Sequence, residues 1–267
     1  MIDKGKKNVL GINVSAVDYE GAVQAVVEAA RRRKPFKATA LAVHGVMTGA
    51  LDREQRWRLN AFDLVTPDGQ PVRWALNLLH KSGLTDRVRG PDLMPLVCER
   101  AARLGLPVYL YGSRPVVLEQ LKARLSEAYP DLIVAGARPS LFRQSTDQEK
   151  KTIAEEIRRS GARIVFVGLG CPRQEVWVYE YAELLRMPAI AVGAAFDFHA
   201  GLLSEAPRTL GRWGLEWLYR LLQEPKRLWR RYLLLNPAFL AMLAAQSAGL
   251  TSFDDRGMEP QNSRNYA

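Results

Sequence analysis

Short apolar runs rich in β-branched residues alternate along the chain with longer amphipathic stretches. Strands are predicted at Val9–Val14, Thr39–Val43, Leu64–Val65, Val108–Tyr111, Leu132–Val134, Ile164–Val167 and Ile190–Val192. Several are apolar at nearly every position, the pattern of a parallel strand covered on both faces. Between them, Tyr19–Arg33 spaces Ala22, Val23, Val26, Val27 and Ala30 along one helical face, with Asp18 placed to cap it. A second helix is predicted from about Arg114 to Ala128, with Ser113 as its cap. The repeated strand–helix unit specifies an α/β fold, a Rossmann-like, mostly parallel sheet flanked by helices and spanning residues 1–203.

From about Ser204 the strands stop. Residues 204–248 are expected to form a helical appendage, and residues 249–267, polar and rich in Gly, Ser, Asn and Asp, a disordered tail. No uninterrupted apolar run approaches the ~18 residues that crossing a membrane requires. The longest, Tyr232–Leu243, is broken by Asn236-Pro237, so any membrane association is expected to be peripheral. Nothing at the start reads as a signal peptide.

Charge and cysteine usage narrow the function classes. The net charge of +10 calls for a polyanionic partner: phosphate groups, nucleic acid or an anionic bilayer. Cys98 and Cys171, the only cysteines, are far apart, which argues against a disulfide scaffold or structural zinc site and fits a reducing cytoplasm.

In open parallel sheets the ligand lies beyond the carboxyl ends of the strands, so those ends are where chemistry is sought. They carry Thr66-Pro67-Asp68-Gly69, Gly112-Ser113-Arg114, Gly168-Leu169-Gly170-Cys171-Pro172-Arg173-Gln174-Glu175 and Gly193-Ala194-Ala195-Phe196-Asp197. Asp68 on a tight turn reads as a general base for a hydroxyl nucleophile, or only as a turn residue that caps the next helix. The glycines at 168 and 170 leave backbone N–H groups at a helix start, an anion site or a plain loop, with Gln174 and Glu175 in the first turn. Gly112 and Ser113 form a similar junction, and Arg87 and Arg89 could neutralise a diphosphate or sit in solvent.

No phosphate loop, D-x-D pair or metal-ligand spacing of His44, His80 and His199 occurs, so metal-independent chemistry without a cofactor is expected. Arg173 stands where a dinucleotide fingerprint needs its third glycine, which weighs against an NAD-dependent enzyme. In the appendage, Arg208, Arg212, Arg220, Lys226, Arg227, Arg230 and Arg231 interleave with Trp213, Trp217, Tyr219, Trp229 and Tyr232. That composition suits an anionic membrane surface, a helix pair packed on the body, or single-stranded nucleic acid.

Together, Thr66–Gly69, Arg87–Leu93, Gly168–Glu175, Val192–Phe198 and Gly214–Arg220 resemble the WecG/TagA/CpsF glycosyltransferase family, over about Val9 to Leu240 and in the family's order. The resemblance implies transfer of N-acetylmannosamine, its uronic acid or glucose from a UDP-sugar to an undecaprenyl-diphosphate-linked sugar, for cell-wall or exopolysaccharide synthesis at the inner face of the plasma membrane. It implies Asp68 as the base of an inverting displacement, Thr39 as a residue that places substrate, Arg87 beside the reacting centre and Gln174 on the donor. Gly112, Ser113, Gly168, Gly170 and Asp197 are expected at the ligand edge. Arg220, Arg227 and Arg230, with Arg231, are expected to close over the diphosphate. No nucleic acid is expected as a partner, and a second copy of the chain could bury the aromatic appendage. Where the family often has Thr-x-Asn this chain has Thr39-Ala40-Leu41, which leaves the sugar open.

Overall fold

A computed structural model describes residues 1–206 and 216–267 of the chain. Arg208, Arg212, Trp213 and the Gly214-Leu215 start of the last motif lie outside the described residues, as does the side chain of Arg227.

The chain opens with an antiparallel hairpin, β1 (Asp3–Val9) and β2 (Ile12–Val17), where a single strand is predicted from the sequence. Leu10 and Gly11 both take positive φ, 53° and 87°, and pair Val9 with Ile12 across a two-residue turn. The apolar run misleads because the turn itself is buried: Leu10 has no exposed surface.

Fifteen helices and strands follow, and with them the predicted sheet is complete. The order along the chain is α1 (Tyr19–Arg32), β3 (Phe36–Leu41), α2 (Val43–Leu51), α3 (Arg53–Asn60), β4 (Leu64–Pro67), α4 (Gln70–His80) and α5 (Gly90–Arg103). There follow β5 (Val108–Gly112), α6 (Pro115–Ala128), β6 (Val134–Arg138), α7 (Asp147–Arg159), β7 (Ile164–Gly168), α8 (Arg173–Leu185), β8 (Pro188–Ala191) and α9 (Ala195–His199). The six strands β4-β3-β8-β7-β5-β6 lie side by side and all pairs are parallel.

Alternation along each strand splits the core in two. Tyr109, Tyr111, Val165 and Val167 face a cluster with the hairpin, α2, α3, α4, α7 and α8. Val108, Leu110, Ile164 and Phe166 face the other, with α1, α5, α6 and α9. Asp18 caps α1 as expected, its carboxylate accepting from the Gly21 N–H at 2.9 Å. Ser113 does not cap α6: it sits at φ 59°, in the left-handed region, and Arg114 takes the cap position without a side-chain bond.

Three described helices follow the sheet: α10 (Glu216–Gln223), α11 (Pro225–Leu233) and α12 (Leu235–Ser247). The last is not set apart from the body. It packs on α2 and α4, and Phe239 and Leu243 join the core cluster on that face. Residues 249–267 are likewise held, contrary to the disorder that their composition suggests. The chain crosses α3, where Asn60 donates to Asp255 O at 2.9 Å and the Met258 N–H to Arg53 O at 2.9 Å, and ends with Ala267 4% exposed. Polar residues here find partners on the body, so they need no apolar core of their own.

Phe239→Ala is expected to cost about 3–5 kcal/mol of stability, the loss for a fully buried aromatic ring. A denaturant midpoint that hardly moves would detach α12 from the core.

Candidate active site

The carboxyl ends of the six strands open into one cavity of about 1200 Å³. Its lining includes Asp68 after β4, Ser113 and Arg114 after β5, Gly168 and Gly170 after β7, and Gly193 and Asp197 after β8. From α10 and α11 come Glu216, Arg220, Arg230 and Arg231. The sequence-predicted edge is therefore largely assembled. Thr39, Arg87 and Gly112 do not line the cavity. Gly112 pairs with Gly168 across β5 and β7, and a Cβ on it would meet Gly168 O at 2.8 Å, so close strand approach accounts for that glycine.

At the β4 end, Asp68 is enclosed by charge. Burial holds its carboxyl above the usual aspartate range, against the lowering pull of Arg89, then Arg87 and Arg220; Glu216 adds to the rise. Asp68 does not cap α4, whose cap is Gly69. Arg87 donates to Glu216 Oε1 at 2.5 Å, which fastens α10 to the loop before α5. Arg89 pairs with Asp92 at 3.2 Å and lies 3.8 Å from Glu216. Arg220 stands over the Phe198 ring at 5.7 Å, and its buried Nε has no partner among the described residues. Arg230 lies over Trp229 at 5.2 Å.

The middle of the floor is fixed from behind. Glu175 is 1% exposed, not the solvated first-turn residue that its position suggests. Its Oε1 accepts from Thr39 Oγ1 and from Gln174 Nε2, both at 2.9 Å. Gln174 Oε1 in turn accepts the main-chain N–H groups of Gly170 at 3.2 Å and Gly193 at 3.1 Å. One amide thus joins the loops after β7 and β8, and the Gly170 N–H read as a free anion donor is already taken. Burial pushes the Glu175 carboxyl up, opposed by the bonds from Gln174 and Thr39. The adjacent Cys171 thiol is pushed well above its ordinary value by burial and by Glu175, so it is not a nucleophile. His44 is lowered to about 4 by burial and by Arg231, which keeps its ring neutral beside the cavity near neutral pH.

Sequence reasoning assigns no ligand role to Glu175 or Glu216 and reaches Arg114 only as part of the Gly112-Ser113-Arg114 junction. For Glu216 and Arg114 only their nearness to strand ends and motifs was legible. For Glu175 the signal was present: Gln-Glu at the first turn of a helix that begins at the sheet edge turns both side chains inward.

These features define an α/β enzyme-like site, a cationic cleft with one enclosed carboxylate at the edge of a parallel sheet. The chain belongs to the glycosyl transferase WecG/TagA/CpsF family, whose model matches residues 7–252. It is accordingly a glycosyltransferase, and membership implies a sugar-nucleotide donor and a lipid-linked acceptor in cell-wall polysaccharide synthesis. Neither an NAD-dependent enzyme nor a non-enzymatic binder accords with that membership.

Gln174→Leu strips the acceptor from two glycine N–H groups and a donor from Glu175. It is expected to cost about 2 kcal/mol or more in thermal or chemical unfolding. Wild-type stability in that variant would mean that the Gln174 bridge does not hold the floor.

Proposed function

We propose that the protein moves a hexose or N-acetylhexosamine from a UDP-sugar to an undecaprenyl-diphosphate-linked sugar, with inversion and without a metal. The observation that carries this reading is the Asp68 carboxylate, enclosed at the cavity edge among Arg87, Arg89 and Arg220. A hydroxyl nucleophile must lose its proton as it attacks, and a carboxylate with a raised pKa is better matched to that task than an ordinary aspartate. Asp68 takes the proton of the acceptor hydroxyl. The hydroxyl oxygen bonds to the anomeric carbon, and the bond from that carbon to the UDP oxygen breaks on the opposite side, so UDP leaves with the electron pair.

The leaving diphosphate needs cations, and the sequence has no D-x-D pair to hold one as a metal. Arg220, whose Nε has no partner among the described residues, and Arg230 and Arg231 at the cavity supply guanidinium groups for this role. Arg227 belongs to the same helix by sequence. Thr39 acts from behind the floor through Glu175, and Gln174, itself at the cavity wall, acts through Glu175 and the two glycine loops. Arg87 acts on the charge of Asp68 and ties α10 to it.

Membrane contact is supported by the outer surface of the C-terminal helices. Leu222 is 74% exposed, and Trp229, Leu233 and Leu240 are also exposed, with Lys226 among them. Apolar and cationic groups so interleaved suit an anionic bilayer surface at the inner face of the membrane. No helix among the described residues is long and apolar enough to cross a membrane.

Asp68→Asn is expected to lower kcat by at least about 10²-fold while UDP-sugar affinity, read by calorimetry, stays close to wild type. Full turnover in the folded variant removes Asp68 as the base. The pH profile gives a second check. Asp68 must be deprotonated to act, so the rate falls as pH drops through its pKa, and burial puts that acid limb above the ordinary aspartate value of about 3.9. Arg89 exerts the largest lowering pull, so Arg89→Gln is expected to shift the limb of kcat/KM to higher pH. A limb that stays or moves down would sever Arg89 from Asp68.

A further inference from the structure

Residues 253–267 lie beyond the span that the family model matches, 7–252, yet Tyr266 and Ala267 line the cavity. They are held there by a socket in the body. The Glu180 side chain, 6% exposed, accepts the main-chain N–H groups of Arg264 at 2.7 Å and Asn265 at 3.1 Å, and pairs with Lys150 at 3.2 Å. Asn265 O accepts from the Ser145 N–H at 2.8 Å and from Ser145 Oγ at 3.2 Å. Ser140 Oγ donates to the main-chain oxygen of Ala267 at 2.7 Å, and Tyr266 bridges to Gln144. A buried carboxylate whose partners include two main-chain N–H groups of this segment fixes the segment's path, not merely its nearness.

The socket lies at the opposite end of the cavity from Asp68. β4 and β6 are the two edges of the sheet, so the turn after β4 and the segment after β6 flank the row of strand ends from opposite sides. At the β6 end the lining includes Ser113, Arg114, Phe142, Arg143, Gln144 and Tyr266. Two aromatic side chains among guanidinium, amide and hydroxyl groups are the chemistry that takes a flat heteroaromatic base, by stacking on its face and hydrogen-bonding its edge.

We propose that residues 263–267 form one wall of the donor's nucleoside pocket, with Tyr266 as a specificity-determining residue that packs against the base. The proposal rests on the UDP-sugar reading above and adds to it a part of the chain outside the family match. The Tyr266 side chain makes none of the socket's hydrogen bonds described above, so it can be removed while the segment stays anchored.

Full-length wild type, Tyr266→Ala and Tyr266→Phe are titrated by calorimetry with UDP and with inorganic pyrophosphate. Tyr266→Ala is expected to weaken UDP about five- to fifty-fold, the range for losing one stacking ring. Its pyrophosphate affinity is expected to stay at the wild-type value, and Tyr266→Phe, which keeps the ring, to bind UDP as wild type does. As a readout without mutation, UDP but not pyrophosphate should slow amide exchange in the wild-type peptide covering residues 262–267. Unchanged or tighter UDP binding in Tyr266→Ala, parallel loss of both ligands, or exchange indifferent to UDP each overturns the wall. Those results leave the donor reading standing. Wild type that binds pyrophosphate alone, or neither ligand, overturns the donor reading and the wall with it.

Discussion

Glu175 sits where three strand ends of the parallel sheet meet, and the shape of the cleft depends on its bonds. A carboxylate so deeply buried is costly unless its oxygens are occupied. Oε1 is occupied by Thr39 from β3 and by Gln174 from its own helix, while the buried Oε2 accepts no hydrogen bond within ordinary distance among the described residues. That second bond holds the Gln174 amide in place, so that its carbonyl oxygen faces the N–H groups of Gly170 and Gly193. The loops after β7 and β8 therefore share one acceptor and cannot part without exposing two donors. The cavity floor is built from the inside outward, and the residues that set its form do not themselves reach far into it.

A second balance operates at the β4 edge. Asp68 is pushed toward protonation by burial and by Glu216, and toward ionisation by three arginines. Glu216 plays both sides: it draws on Arg87 at 2.5 Å and lies 3.8 Å from Arg89, which moderates the cations that moderate Asp68. Because Glu216 belongs to α10, the charge state of the proposed base depends on a helix outside the sheet. The C-terminal helices and the catalytic edge are thus one electrostatic unit.

The sheet was legible because strands covered on both faces are apolar at consecutive positions, as in Ile164–Val167 and Val108–Tyr111. The same rule misread Val9–Val14, since a buried hairpin turn at Leu10-Gly11 is as apolar as the strands beside it. Boundaries slipped at β6 and β8, where the apolar run and the hydrogen-bonded run start two residues apart. At the site, Asp68, Ser113, Asp197 and Arg220 were found by position at strand ends or by motif, and all line the cavity. Thr39 and Gly112 carry the same kind of signal, yet lie behind the wall, because a strand end has an outward and an inward residue and sequence alone does not say which. The tail was illegible in principle: composition reports whether a segment can bury a core, and residues 249–267 are held by hydrogen bonds to partners distant in sequence.

The burial of Phe239 has a mechanical consequence. α12 is rooted in the core, and Ala200, just past α9, is rooted in the opposite core cluster. α10 and α11, with Arg220, Arg230 and Arg231, lie on the chain between these two anchors, and the Arg87–Glu216 pair and Leu228, 1% exposed, hold them along their length. A chain tied at both ends pays a loop-closure cost that grows only slowly with the length between its anchors. The guanidinium groups stay at an effective concentration in the millimolar range, as for tethered modules generally. A force applied where Trp229 and Leu233 are exposed would be transmitted along the pinned segment to Arg220, and through Glu216 to Asp68, instead of peeling a free end from the body.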